Sequence, residues 1–164
     1  MRRFIVGVMG SGQSADTCDT GNAYELGRLI AQEGWIVLSG GRDIGVMEAV
    51  NQGAKEIPGS ITLGILPSAD SKPSPFVDIV IITDMHNARN NINVLSSDVV
   101  VACGCKGSGT VSEIALALKA CKPVIMLGAD IESIAFFQKL GNGAVHIAEK
   151  PGQAIDIIKM LRPI

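Results

Sequence analysis

Three glycine-rich turns hold the residues best suited to chemistry in this chain. They are Gly10-Ser11-Gly12, Gly40-Gly41-Arg42-Asp43-Ile44-Gly45 and Gly104-Cys105-Lys106-Gly107-Ser108-Gly109-Thr110. Each follows an apolar run and leads into a helical pattern. Glycine lets the backbone approach a ligand closely and adopt positive φ. The helix that follows offers free N–H groups and the positive end of its dipole, which together suit an anion. One such turn is ordinary in an α/β protein; three at one sheet edge point to an anion or nucleotide pocket. Gly10, Ser11, Gly12, Gly40, Gly41, Arg42, Gly45, Gly107, Ser108, Gly109 and Thr110 are therefore expected around a phosphate. Arg89 joins them, because its guanidinium fork fits phosphate or ribose oxygens. Eight of the 19 glycines lie in these turns, so the glycine excess marks a site.

Neither of the best-known phosphate loops is present. A P-loop needs Gly-Lys-Ser/Thr opening its helix, and Gly107-Ser108-Gly109-Thr110 has no lysine there. Gly10-x-Gly12-x-x-Ala15 matches only a relaxed dinucleotide fingerprint, and residues 16–21 delay the helix, so NAD is discounted. Thr110-x-x-Glu113 ahead of an apolar helix reads as a capping box, which needs no ligand. Arg42 faces a ligand or pairs with Asp43; Lys106 supplies charge to the site or points to water. His86 reads as a turn residue. Asp98 starts a strand, at the sheet end away from the ligand edge, and reads as structural. Lys159 and Arg162 suit the dipole of the last helix.

Elements that position these residues follow from periodicity. Apolar strand-like runs occupy 4–9, 35–38, 61–66, 76–83, 99–103, 124–127 and 144–148. Helical patterns lie between them. One spans 22–33, with Ala23, Leu26 and Ile30 inward; another spans 45–56, with Val46, Met47, Val50 and Ala54 inward. A third covers 87–97, with Ala88, Ile92 and Leu95 inward. The fourth, 110–120, places Val111, Ile114, Ala115 and Leu118 on its inner face. Two more lie near 131–140 and at the C-terminal end, where Ala154, Ile157, Ile158 and Leu161 share a face. The run at 76–83 is reached without a helical crossover, which leaves its direction open. Alternating β and α units with aliphatic strands predict a three-layer α/β/α fold with a mainly parallel sheet of six to seven strands. Residues 1–164 are expected to form one domain.

Composition narrows the function classes. The 164 residues are 47% hydrophobic and 18% charged, with six aromatics, so the core must be aliphatic. A net charge of −2 leaves no electrostatic footprint for nucleic acid or an anionic membrane. No apolar run approaches the roughly 18 residues that span a bilayer. Gly7, Gly10 and Gly12 interrupt the first run too early for a signal peptide, so a cytoplasmic location is expected. Four cysteines are then thiols. Cys103-x-Cys105 has the wrong spacing for common zinc pairs, and no metal site is expected.

These residues also carry a resemblance. Gly40-Gly41-Arg42, Gly45-Val46-Met47-Glu48-Ala49-Val50 and Gly53-Ala54 resemble the second-strand motif of the molybdenum cofactor carrier protein-like group. Arg89-Asn90 ahead of Ser97-Asp98, and Gly107-Ser108-Gly109-Thr110-Val111-Ser112-Glu113, are similar to that group too. The wider superfamily includes the Lonely guy phosphoribohydrolases, often mislabelled lysine decarboxylases. Their hallmark P-G-G-x-G-T-x-x-E falls on residues 105–113, with Cys105 and Lys106 in place of its proline and first glycine. Met85-His86-Asn87-Ala88-Arg89-Asn90 keeps only part of their Met-His-x-Arg-Lys motif. The resemblance implies a Rossmann-like fold, usually dimeric or a higher homo-oligomer, holding a nucleotide or a molybdopterin-type cofactor. It implies a cytosolic binding protein for a phosphate-bearing small molecule, with no other cofactor required. The alternative it carries is hydrolysis of a nucleoside 5′-monophosphate to base and ribose 5-phosphate, with Arg89 and Glu113 as the catalytic pair. A pyridoxal-dependent decarboxylase has no support, since no Schiff-base lysine setting is visible.

Overall fold

The computed structural model describes residues 2–162. Its elements in chain order are β1 (Ile5–Gly10), α1 (Thr17–Gln32), β2 (Ile36–Ser39), α2 (Gly45–Lys55), β3 (Thr62–Leu66) and β4 (Ile79–Ile82). A 3-10 turn (His86–Ala88) then leads into α3 (Arg89–Ser96), β5 (Val99–Cys103), α4 (Ser108–Lys119), β6 (Val124–Leu127), α5 (Ile131–Gly141), β7 (Val145–Ala148) and α6 (Pro151–Leu161). The seven strands form one sheet in the order β4-β3-β2-β1-β5-β6-β7, every pair parallel. The chain winds outward from β1 to β4, then returns to place β5 on the other side of β1. Strand order therefore reverses between β1 and β5, and a ligand crevice belongs at their carboxyl ends.

Alternation along the central strands separates two cores. Val6, Val8, Val99, Val101 and Cys103 face a layer built by Ala23, Leu26 and Ile30 of α1, Val46, Val50 and Ala54 of α2, and Ala154 and Ile158 of α6. Met9, Leu38, Val100 and Ala102 face Val94 of α3, Ile114 and Ala117 of α4 and Phe137 of α5. All five residues of β5 are buried, as a strand covered by helices on both faces requires. Helices α1 and α2 touch through backbone: a Cβ on Gly27 would collide with the Val50 carbonyl oxygen, and one on Gly53 with that of Tyr24.

Several sequence expectations change. Helix α1 begins at Thr17 rather than near residue 22, because Asp16 caps it: its carboxylate accepts from the Cys18 and Asp19 backbone N–H groups at 2.9 Å each, and the Asp19 side chain caps back. The segment 67–78 crosses from β3 to β4 without a helix, held where Ser74 N–H donates to the Gly41 carbonyl at 2.8 Å. That crossover makes β4 parallel to β3 and leaves its four residues, Ile79–Ile82, exposed at the sheet edge. Helices α3 and α4 are rotated relative to the aliphatic count. Thr110, Glu113, Ile114 and Ala117 face inward on α4 while Val111 and Ala115 are exposed; on α3, Asn93 and Val94 are buried while Leu95 and the preceding Ala88 are exposed. Polar residues occupy the inner faces because a polar cavity lies there.

Candidate functional site

A cavity of about 230 Å³ opens at the carboxyl edge of the sheet, over the β1/β5 switch point. The ends of β1 and β2 supply Gly10, Ser11, Gly12 and Gly40, while Arg89 comes from α3 and Gly107, Ser108, Gly109, Thr110 and Glu113 from the start of α4. The structure thus brings most of the expected residues together. Gly41, Arg42 and Gly45 do not line it. Arg42 lies beside the site and bridges through its backbone to Pro73, while Asp43 pairs with Lys72 at 2.8 Å. Gly45 is packed against the 11–12 backbone, and the Val46 N–H donates to the Ser11 carbonyl at 3.0 Å.

That last bond decides which helix N-terminus is open. Asp16 caps α1, and the first loop occupies the start of α2. Helix α4 begins at Gly107, whose extended conformation (φ −134°, ψ 145°) carries no side-chain cap. Thr110 is therefore the third residue inside the helix and Glu113 a further turn along, so the capping-box reading fails. The Thr110 hydroxyl is buried in the cavity wall without a hydrogen-bond partner. An uncapped helix start presents unsatisfied N–H donors, and here they face the cavity.

The charged groups of the site are few and oddly provided for. Arg89 starts α3, and its guanidinium lies against Gly40, where any Cβ would overlap Nη1. Its Nε and Nη1 are buried without hydrogen-bond partners. Burial draws the guanidinium below its ordinary pKa; Glu113 opposes that shift and Arg42 adds to it. Unpaired buried donors cost free energy unless something accepts from them. Across the cavity, Glu113 is 7% exposed and its Oε1 accepts from Asn93 Nδ2 at 2.8 Å. Burial pushes its carboxyl up to about 7, while the Asn93 bond and the Arg89 charge pull it down. Glu113 is thus a carboxyl poised between its two forms near neutral pH. The recess is donor-rich, and the Arg89 Nε and Nη1 and the Thr110 hydroxyl on its wall have no acceptor among the described residues.

Other residues fall outside the cavity. Lys106 neither faces the ligand edge nor dangles in water: it binds Asp16 and, at 2.9 Å, the buried Asp19, tying the β5–α4 loop to the start of α1. That pairing holds Asp16 below the usual carboxylate range. His86 sits in the 3-10 turn with φ of 48°. Asp98 lies at the opposite sheet edge, accepting from Ile5 N–H at 2.8 Å and pairing with Arg2. Cys103 is buried, its thiol pushed up to about 12 by burial and the nearby Asp19. No group of three or more His, Cys, Asp or Glu side chains suited to a metal occurs among the described residues. None of their helices is long and apolar enough to cross a membrane. Sequence reasoning missed Asn93, the partner of Glu113, although it stands four residues from Arg89 on the same helical face.

Known proteins share this architecture. The molybdenum cofactor binding protein of the phototrophic bacterium Rippkaea orientalis is 55% identical, with a TM-score of 0.94 over 98% of each chain. The molybdenum cofactor carrier protein of Chlamydomonas reinhardtii is 48% identical, with a TM-score of 0.92 over 98% of each chain. An uncharacterized protein of Archaeoglobus fulgidus is 44% identical over 130 residues, 77% of this chain and 82% of its own. The profile of the SLOG cluster4 family matches residues 3–155, which takes in all three glycine turns, Arg89 and Glu113. By that match this chain belongs to the SLOG cluster4 family.

Proposed function

We propose that the protein is a cytosolic carrier that binds a phosphate-bearing small molecule, a nucleotide or a molybdopterin-type cofactor, by its phosphate. The observation that carries this reading is the convergence of an uncapped α4 start, the unpartnered Thr110 hydroxyl and the unpartnered Arg89 donors on one cavity. A phosphate on Gly107, Ser108, Gly109 and Thr110, flanked by Ser11 and Arg89, satisfies donors that otherwise stay bare. The printed descriptions of the Rippkaea and Chlamydomonas relatives, a cofactor binding protein and a cofactor carrier, favour the molybdopterin-type cargo. The cargo brings its own metal and redox chemistry; this chain supplies the anion cradle. Calorimetric titration with inorganic phosphate, AMP and GMP tests the reading, with Arg89→Ala as control. Binding abolished or weakened at least tenfold by the substitution is expected; no binding of any phosphate would overturn it. A homodimer or higher homo-oligomer belongs to the same reading, supported by the exposed apolar residues of β4 and by Leu95 and Val111 on the outer helices. Sedimentation checks it, and a monomer at all concentrations would remove that part.

Glu113 favours a second reading, a nucleoside 5′-monophosphate phosphoribohydrolase. A buried carboxyl titrating near 7 beside a guanidinium suits cleavage of an N-glycosidic bond. Arg89 would hold the sugar phosphate, and Glu113 would orient water and stabilise the oxocarbenium-like sugar. Incubation with AMP then releases adenine and ribose 5-phosphate, and Glu113→Gln stops it. Absence of released base leaves only the carrier.

A further inference from the structure

The cavity that holds Arg89 and Thr110 does not end at its rim. A second depression of about 770 Å³ opens beside it, with Asn87, Asn90, Ser108 and Gly109 as a common wall. The inner cavity, about 230 Å³, falls below the roughly 300–1,000 Å³ of ordinary small-molecule sites, so it has room for only one end of a ligand. Its lining is donor-rich, with the Arg89 guanidinium and the Thr110 hydroxyl unpartnered, which suits that end to the anion. The outer depression has no charged residue in its lining. It therefore does not serve a second phosphate.

We propose that the outer depression seats the ring system of the same ligand, a planar, uncharged heterocycle with hydrogen-bond donors and acceptors along one edge, as in a pterin or guanine. The inference rests on the phosphate reading above and adds the ring's place and the residues that select it. Met85 and Leu116 form the apolar part of the seat, a thioether and an aliphatic chain that rest on a flat face without stacking. The amides of Asn87, Asn90 and Asn91 supply the edge recognition, each offering a carbonyl acceptor and an NH2 donor. Asn90 is fixed in place: its Nδ2 donates to Ser112 Oγ at 2.9 Å, and that hydroxyl donates to the Gly109 carbonyl at 2.7 Å. The chain from Gly109 through Ser112 to Asn90 thus couples the phosphate-holding turn to the amide row, and leaves Asn90 Oδ1 as an acceptor. Asn87 and Asn91 are exposed, so their substitution changes the seat without opening the core.

Calorimetry with inorganic phosphate, ribose 5-phosphate and GMP separates the two layers of the argument, with released guanine followed in the same samples. GMP is expected to bind at least tenfold more tightly than ribose 5-phosphate. Asn91→Leu and Asn87→Ala should each cut that advantage at least threefold, and together bring GMP close to ribose 5-phosphate. Phosphate and ribose 5-phosphate should change less than twofold in the Asn91 variants, because Asn91 lines only the outer depression. Asn91→Ala serves as a milder second variant with the same expected direction. GMP binding no tighter than ribose 5-phosphate, or an advantage that survives all the variants, overturns the ring seat while phosphate binding stands. Failure of phosphate and ribose 5-phosphate to bind overturns the phosphate reading and the ring seat with it.

Discussion

Replacing Glu113 with glutamine should stabilise the protein, and should do so only as the pH rises. Burial lifts the Glu113 carboxyl from its ordinary 4.5 to about 7 in the folded chain. Between those values the native state holds a proton that the unfolded state has released. Stability then falls as pH rises through this window and levels off above about 8, where the buried carboxylate is fully charged in the folded protein. At about 1.4 kcal/mol per pK unit, the shift corresponds to about 3 kcal/mol of lost stability at high pH. Glutamine has nearly the same shape and keeps an acceptor for Asn93 Nδ2, but carries no charge to desolvate. The variant should match the native protein near pH 4.5 and exceed it by about 3 kcal/mol at pH 8.5, or roughly 6–12 °C in Tm for a chain of this size. Urea unfolding at half-unit pH steps between 4.5 and 8.5 reads the difference directly. A gap that does not change with pH would refute the assignment of the penalty to Glu113 ionisation. A variant less stable than the native protein at pH 8.5 would refute the burial argument itself.

Gly40→Ala should displace the Arg89 guanidinium, which lies where the new methyl must go; phosphate affinity is expected to fall at least tenfold, and unchanged affinity would show that Arg89 does not hold the anion. Thr110→Val removes a buried hydroxyl that has no partner, so unfolding free energy should hold or rise by about 1 kcal/mol while phosphate binding weakens several-fold. Sulfate, which does not titrate near neutrality, should bind more weakly as pH rises from 6 to 8.5 in the native protein, with the slope removed by Glu113→Gln; calorimetry at matched ionic strength checks it. Cys103, its thiol pushed up to about 12, should resist a thiol reagent at pH 8 until the protein unfolds, whereas exposed Cys18 and Cys121 should react at once.

The sheet was legible because parallel strands buried on both faces announce themselves as continuous aliphatic runs, and Val99–Cys103 is such a run. The edge that carries the cavity was legible because glycine turns follow those strands. What escaped had competing physical causes. Counting aliphatic residues on α4 favoured Val111 and Ala115 as inward, yet the helix turns its Thr110 and Glu113 face to the sheet, where the cavity accommodates polar atoms. The start of α1 hid behind Asp16, whose capping role depends on a reciprocal bond with Asp19 that a residue count does not reveal. Arg42 looked like a phosphate ligand because it sits in a glycine turn, but that turn is spent on packing against the first loop and the β3–β4 crossover. Asn93 lacked any motif and declared itself only through the carboxyl it serves.

The glycine-lined crossing of α1 and α2 bears on how rigidly the recess is held. With backbone against backbone at Gly27 and Gly53, these two helices and the loops that precede them behave as one stiff slab. Lys106 fastens the β5–α4 loop to the same slab through Asp16 and Asp19. Three walls of the recess are therefore mutually braced. The fourth wall is the 84–89 segment, of which residues 84–88 are all exposed and which ends on Arg89. Arg89 thus stands where that exposed turn meets α3, and the next residue, Asn90, is tied to α4 through Ser112, so the bracing of the recess reaches the fourth wall one residue beyond Arg89.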